Sequence, residues 1–333
     1  MSMHGARTCL LIMPRSFYSF ARMFGAALRD MGYEVTEANE EYPENAFGKV
    51  MAKLDLDIAR RITRRTINRR FLAGRHYDLI VIIKGRGIGE KLVADLQRHA
   101  DRVVGYHFDA LAYDRATERW AAGVDRVSTF DYRDAKAKDW PLVELFSAQP
   151  PPDGHHPISI GFSAIMRNHS SRLAYLDAVV RALEIKPEDS FFYIFEQDVR
   201  SLVSNFLKHP RLYARWRRHI HRSPLPYEEY RRVLATSDFT IDYAHDKQTG
   251  LTMRSFEALA SGAKLITNNP NIRKSRHFTD ENAFVFRVDE NSGPLKDAVR
   301  KRRGKRPERR WRSVADCLRE IIGTEEPGST RLT

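Results

Sequence analysis

The sequence lacks most of what marks a secreted or membrane-spanning chain. It has two cysteines, Cys9 and Cys317. At most one bridge can form, so a disulfide framework is excluded and a reducing compartment suits the chain. The apolar run at 9–13 is too short for a signal-peptide core or a membrane span, and no other run approaches spanning length. No Gly-x-Gly-x-x-Gly follows the first apolar run, which disfavours a dinucleotide oxidoreductase. No Gly-x-x-x-x-Gly-Lys-Ser/Thr loop occurs, which disfavours phosphoryl transfer. An Asp-x-Asp metal site is not expected either, and low-complexity tracts are absent.

What is present is a chain of 333 residues, 42% hydrophobic, long enough for two domains with cores of their own. Its formal charge is +13, from 56 basic and 43 acidic residues. Such an excess suits a polyanionic partner: nucleic acid, an anionic membrane or a phosphorylated substrate.

The pattern alternates strand and helix. Strands are predicted at 8–13, 33–36, 77–83, 102–106 and 125–129, and a helix at 17–31. The first strand is apolar throughout, as in a parallel sheet covered on both faces. A long helical region is predicted over 46–72. It contains RRITRRTINRR, read equally well as a phosphate-binding face or as a solvated face. Lys84-Gly85-Arg86-Gly87 follows the third strand, at the edge where open α/β sheets bind ligands. Gly85, Arg86 and Gly87 are acceptor-side candidates, with Ser16 in the turn after the first strand. His107 and Asp109 end the fourth strand at the same edge. The PPPDGHHP segment at 150–157 cannot continue helix or sheet and marks the linker. Its two adjacent histidines lack a third spaced ligand and do not suggest metal. The alternation then restarts: strands at 158–162 and 191–195, a loop at 163–168, helices at 171–183 and 226–235, and a solvated basic helix at 210–222. A strand at 283–288, a helix from 294, a last helix over 308–322 and a disordered tail at 323–333 complete the reading.

One stretch, 237–269, carries most of the functional signal. It reads strand, polar loop ending at Gly250, helix over 252–260, Gly262 as helix stop, then a strand from Lys264. A helix N-terminus after such a loop favours an anion, because free N–H groups and the helix dipole point out of it. Arg254 on the first turn is suited to a phosphate, and Glu257 one turn on to ribose hydroxyls.

This stretch resembles the donor-binding segment of two-domain (GT-B) glycosyltransferases, those of lipopolysaccharide, capsule and exopolysaccharide synthesis most closely. The matching residues are Ile241-Asp242, His245, Gln248-Thr249-Gly250-Leu251-Thr252-Met253-Arg254 and the run from Glu257 to Thr267. Many retaining members carry a second Glu eight positions before the first. Thr249 stands there in this sequence, so a retaining mechanism is not implied. The resemblance implies two Rossmann-like parallel-sheet α/β domains facing a cleft, at 1–150 (acceptor side) and 151–322 (nucleotide sugar), with the terminal helix packing back on the first. It implies donor contacts from His245, Gln248, Thr249, Gly250, Leu251, Thr252, Arg254 and Glu257. It adds Ser163 and Arg167 toward the phosphates, and Gln197 toward the base.

The expected activity is transfer of a sugar from a nucleotide sugar to a glycan or lipid-linked acceptor, with no metal and no cofactor beyond the co-substrate. Asp109 is the first candidate for the general base an inverting transfer needs, and His107 the second. The expected place is the cytoplasm, with contact at the inner face of the cell membrane through the basic run 301–312, in which eight of twelve residues are Lys or Arg and Trp311 is present. Two other readings stand beside this one: a nucleic-acid-binding protein using its basic surface, and a non-catalytic relative serving as a partner.

Overall fold

Continuous apolar runs with no polar alternation belong to strands covered on both faces, and the runs 9–13 and 79–83 are of that kind. A computed structural model describes residues 6–14, 18–53, 56–154, 156–169 and 171–324. The chain divides into two units: residues 1–148 with 313–333, and residues 149–312.

The first unit holds β1 (Arg7–Met13), β2 (Tyr33–Asn39), β3 (Leu79–Ile83), β4 (Val103–His107) and β5 (Arg126–Thr129). They form an all-parallel sheet in the order β2-β1-β3-β4-β5. Leu10, Ile12, Ile80 and Ile82 share one core cluster with Trp120, Leu92 and Leu96. The helix Tyr18–Asp30 packs against β2 and against the helix Val314–Ile322. That last helix therefore counts with the first unit, and the second unit ends at 312 rather than 322. It also begins at Val314 rather than 308, because Ser313 caps it in a reciprocal box with Asp316.

The helical region predicted over 46–72 is broken. It forms one helix at Ala46–Lys53, a second at Asp57–Ile67 and a π-helical turn at Asn68–Leu72. Ser16 and the tail from 325 onward lie outside the described residues, as does His155 of the linker pair.

The second unit holds β6 (Ile160–Arg167), β7 (Ser190–Phe195), β8 (Ile220–His221), β9 (Ser237–Asp242), β10 (Lys264–Thr267) and β11 (Ala283–Val285). They too are parallel, in the order β11-β10-β9-β6-β7-β8. The predicted loop 163–168 is mostly strand: β6 pairs with β7 as far as Arg167 opposite Phe195. The basic segment 210–222 is not a solvated helix. Tyr213 and Trp216 are buried in the core of this unit, and Trp216 donates to Asp177 at 2.9 Å. Two aromatic anchors every third residue outweigh the arginines, whose charged ends reach solvent.

Candidate functional site

In the second unit the loop between β9 and the helix Met253–Ser261 is tied down from β10. Asn268 both accepts from Ala244 N and donates to Ala244 O, each at 2.8 Å. Asn269 donates to the carbonyls of Thr249 and Gly250 at 3.1 Å. Gln248 closes the turn onto Gly250 O at 3.1 Å, and Leu251 is buried, so it packs the loop against the unit. Thr252 is the N-cap: its hydroxyl accepts from Ser255 N and donates to Asp242 at 2.5 Å. Gly262 ends the helix at φ +74°, where a side chain is strained, and a Cβ there would stand 3.1 Å from Arg309.

These local devices set Arg254 and Glu257 on one side of the first two turns. Arg254 lies 3.6 Å from Asp242, which is 2% exposed at the end of β9. Burial alone would depress the Arg254 guanidinium, but Asp242, Tyr230 and Glu257 more than offset it and raise it net. Burial lifts the Glu257 carboxyl above its usual range, against the pull of Tyr230 and Arg254. Tyr230 donates to Glu257 Oε2 at 2.5 Å from the helix Tyr227–Thr236.

Opposite this helix end, the end of β6 and the helix Arg172–Leu183 bring further cations. Burial first, then Arg254 and Arg167, pull Arg172 down to about 10, with Asp242 opposing. Its Nε is buried and, among the described residues, has no hydrogen-bond partner. Burial, Arg172, Arg167, His245 and Arg254 together push His169 down to about 4, and its ring lies 6.4 Å from that of His245. Three arginines and two histidines thus feel one another, with Asp242 and Glu257 as the carboxylates that act on Arg254 among the described residues. That excess of positive field is what an anion would relieve.

Beside it lies a cavity of about 390 Å³ lined by Arg167, His169, Gln197, Arg200 and Ser201 among others. Asn168 and Tyr213 both donate to Oε1 of the fully buried Glu196 at its border, and Oε2 is left without a partner among the described residues.

Most of the donor candidates read from the sequence therefore fall in one region. Ser163 does not share it: it sits in mid-strand, fully buried, with its hydroxyl 3.5 Å from Phe239 O. Arg172, His169, Asp242 and Tyr230 were missed as members of the cation cluster or as partners of Glu257. Arg172 reads locally as an ordinary helix residue, and nothing in its neighbourhood along the chain shows Arg254.

In the first unit the candidates gather at the carboxyl edge of the sheet. Asp109 pairs with Lys84 at 2.7 Å, and Lys84 itself adopts a left-handed φ of +74°. His107 is 1% exposed, and burial pushes it down to about 4. Its Nδ1 is 2.7 Å from Thr117 Oγ1, which donates its one proton to Lys84 O at 3.2 Å. Nδ1 must then carry the hydrogen, leaving Nε2 as the lone-pair nitrogen.

Gly85, Arg86 and Gly87 have partners within the unit. A Cβ at Gly85 would lie 2.6 Å from Trp120, and one at Gly87 2.1 Å from Glu40 O. Gly85 is needed for the indole and Gly87 for a backbone approach, so neither glycine by itself marks a ligand contact. Arg86 pairs with Asp114 at 3.1 Å.

Among the described residues no group of three or more His, Cys, Asp or Glu is placed to hold a metal ion. An Asp-x-Asp triplet does occur, contrary to expectation, as Asp55-Leu56-Asp57. Asp55 lies outside the described residues and Asp57 pairs with Arg60.

Residues 190–325 match a family model described as glycosyl transferase-like. This part of the chain is a glycosyl transferase-like domain. The match contains the loop, Arg254, Glu257 and Tyr230. No curated protein matches the chain. Among solved structures the chain is similar to Anabaena HepE, in complex with UDP and glucose (9% identity, 96% of this chain and 95% of that one, TM-score 0.55). It is similar to AviGT4, a glycosyltransferase involved in avilamycin A biosynthesis (11%, 95% and 93%, 0.53). It is also similar to a putative UDP-N-acetylglucosamine 2-epimerase of Listeria monocytogenes (11%, 99% and 100%, 0.53). At such identities the likeness establishes the fold: two parallel-sheet α/β units of GT-B type, found in glycosyltransferases and in epimerases alike.

Proposed function

We propose that the chain is a glycosyltransferase whose second unit binds the diphosphate of a nucleotide sugar at the cluster of Arg254, Arg172 and Arg167. That cluster, in which Arg254 pairs with Asp242 at 3.6 Å, carries the reading. The diphosphate leaving group gains charge as the glycosidic bond to it breaks, and fixed guanidinium groups and the helix N-terminus stabilise that charge without a metal. Glu257, oriented by Tyr230 and Tyr227, is the carboxylate we assign to the ribose hydroxyls. Asp109 takes the proton of the acceptor hydroxyl. The acceptor we propose is a glycan or a lipid-linked glycan of surface polysaccharide synthesis, met at the cytoplasmic face of the membrane.

Two variants test the donor assignment. Arg172→Met is expected to leave the melting temperature unchanged or raised, because it removes a crowded like charge, and to weaken binding of UDP, GDP or ADP about 10–100-fold. Calorimetry showing unchanged affinity for the nucleotide that binds wild type sinks the anion assignment. Glu257→Ala is expected to cost about 1–3 kcal/mol of nucleotide affinity, the loss of a charged hydrogen-bond acceptor. An unchanged constant with a folded variant places the ribose elsewhere.

A second reading follows from the fold shared with epimerases: conversion of the nucleotide sugar with no acceptor. Nucleotide sugars incubated with the protein alone separate the two. An isomerised nucleotide sugar supports epimerisation, and free nucleotide formed only when acceptor is added supports transfer.

A further inference from the structure

The paired arginines of RRITRRTINRR are not equivalent in the folded chain. Arg60 pairs with Asp57, and Arg64 with Asp95 at 2.5 Å. Asp95 is buried and also takes Arg98 and Asn68, so it is saturated. The second member of each of the first two pairs faces solvent, and both members of the third, Arg69 and Arg70, are exposed. Arg61, Arg65 and Arg69 are exposed and, among the described residues, form no hydrogen bond or ion pair. The carboxylate that acts on Arg61 is Asp57, already engaged by Arg60. Spaced four apart, the three make one cationic stripe.

An apolar patch lies at the N-terminal end of that stripe. Phe47 is 66% exposed, Val50 55%, Leu56 41% and Ile58 55%. The first two sit three apart on the helix Ala46–Lys53, and Ile58 shares the face of Arg61 and Arg65 on the helix Asp57–Ile67. The two helices pack together, and Leu56 N donates to Met51 O at 3.1 Å. Large apolar side chains left in water beside unpaired arginines need an occupant that is apolar inside and anionic at its surface.

By contrast, the run 301–312 is largely bound to its own unit. Arg302 and Arg303 pair with Glu281 and Asp189. Arg306 donates to Gly262 O and to Ala235 O, and Arg309 to Pro152 O and Gly154 O. The buried Lys264 bridges Asp238 and Lys305 O, and Arg312 is 3% exposed. This run is a strap across the second unit.

We infer that the surface formed by Phe47, Val50, Leu56 and Ile58 with Arg61, Arg65 and Arg69 docks on an anionic lipid surface. The apolar tips enter the acyl boundary and the guanidinium groups lie on lipid phosphates, with their stems along the interface. A nucleic acid would use the arginines and leave the apolar tips in water.

The test is co-sedimentation with phosphatidylcholine vesicles with and without about one-third phosphatidylglycerol, at low and high salt, with no sugar donor or acceptor present. The result therefore stands apart from the transferase reading. Wild type is expected to partition to anionic vesicles and to be released by salt. R61Q/R65Q/R69Q is expected to lose partition about a hundredfold, roughly fivefold per arginine. R61K/R65K/R69K, which keeps the charge, is expected to retain it, showing that the loss is not misfolding. F47Q/I58Q is expected to lose about tenfold or more. The inference is overturned by no binding at low salt, by equal recovery with neutral vesicles, or by an unchanged R61Q/R65Q/R69Q variant. It is equally overturned if K301Q/R310Q on the strap, rather than the arginine stripe, removes binding. Wild-type partition of F47Q/I58Q, together with duplex DNA binding that depends on the three arginines, assigns the surface to nucleic acid and also overturns it.

Discussion

Asp109→Asn is expected to lower turnover about 10²–10⁴-fold, the usual contribution of a positioned base, while nucleotide affinity stays at the wild-type value. Asp109 follows β4 at the carboxyl edge, and its side chain is one-third exposed, so an acceptor hydroxyl can reach it. Lys84 holds it from β3 through a 2.7 Å ion pair, and the left-handed backbone at Lys84 aims that side chain. Asparagine matches the shape and cannot take the proton. Turnover measured at saturating donor separates the two effects, since a loss of donor binding would appear in KM instead. Near-parental turnover would move the role to His107. Its titration is pushed down to about 4, so activity resting on it would fall only in acid near that value.

The second large effect is one of stability. Glu40 is 2% exposed directly after β2, and accepts from Gly85 N at 2.6 Å and Arg86 N at 3.0 Å. Burial, then the neighbouring charge of Glu41, pushes its carboxyl up from 4.5 to about 8, against Lys84 and the two N–H groups. The folded state therefore binds a proton that the unfolded chain has already lost. The contribution is full below about pH 4.5 and lost as pH rises through about 8. At about 1.4 kcal/mol per pH unit, that window amounts to about 4–5 kcal/mol. Glu40→Gln is neutral throughout and still accepts from both N–H groups. The difference in unfolding free energy between variant and wild type should therefore grow in favour of the variant from about pH 5 to about pH 8. Denaturant titrations giving the same difference at both ends would show that Glu40 titrates alike in both states.

The stretch 237–269 was legible because its signals are local. The strand, the helix start near Thr252, the stop at Gly262 and the next strand each depend on residues a few positions apart, and all are present at or within two residues of where the pattern puts them. Where partners lie far along the chain, the reading failed. The strap at 301–312 looked like free charge, and the carbonyls that hold Arg306 and Arg309 come from 235, 262, 152 and 154. The helix of 210–222 looked solvated because its arginines outnumber its aromatics, yet burial of Tyr213 and Trp216 decides its face. Gly85 looked like a gap for a ligand, and Trp120 fills it.

Alternation of short apolar runs with helical stretches, and the glycines and caps between them, determined from the sequence alone that the chain forms two parallel-sheet units and that Arg254 and Glu257 stand on a helix start. Those are short-range properties of the backbone and of apolar periodicity. Only the tertiary structure decided which charges are neutralised. Arg64 meets Asp95 31 positions away, Glu257 meets Tyr230 27 away, and Arg172 meets Arg254 from another strand-helix unit of the same sheet. A charge acts through space and the sequence orders residues along a line, so the same arginine reads identically whether it lies beside a buried carboxylate, a phosphate or open water.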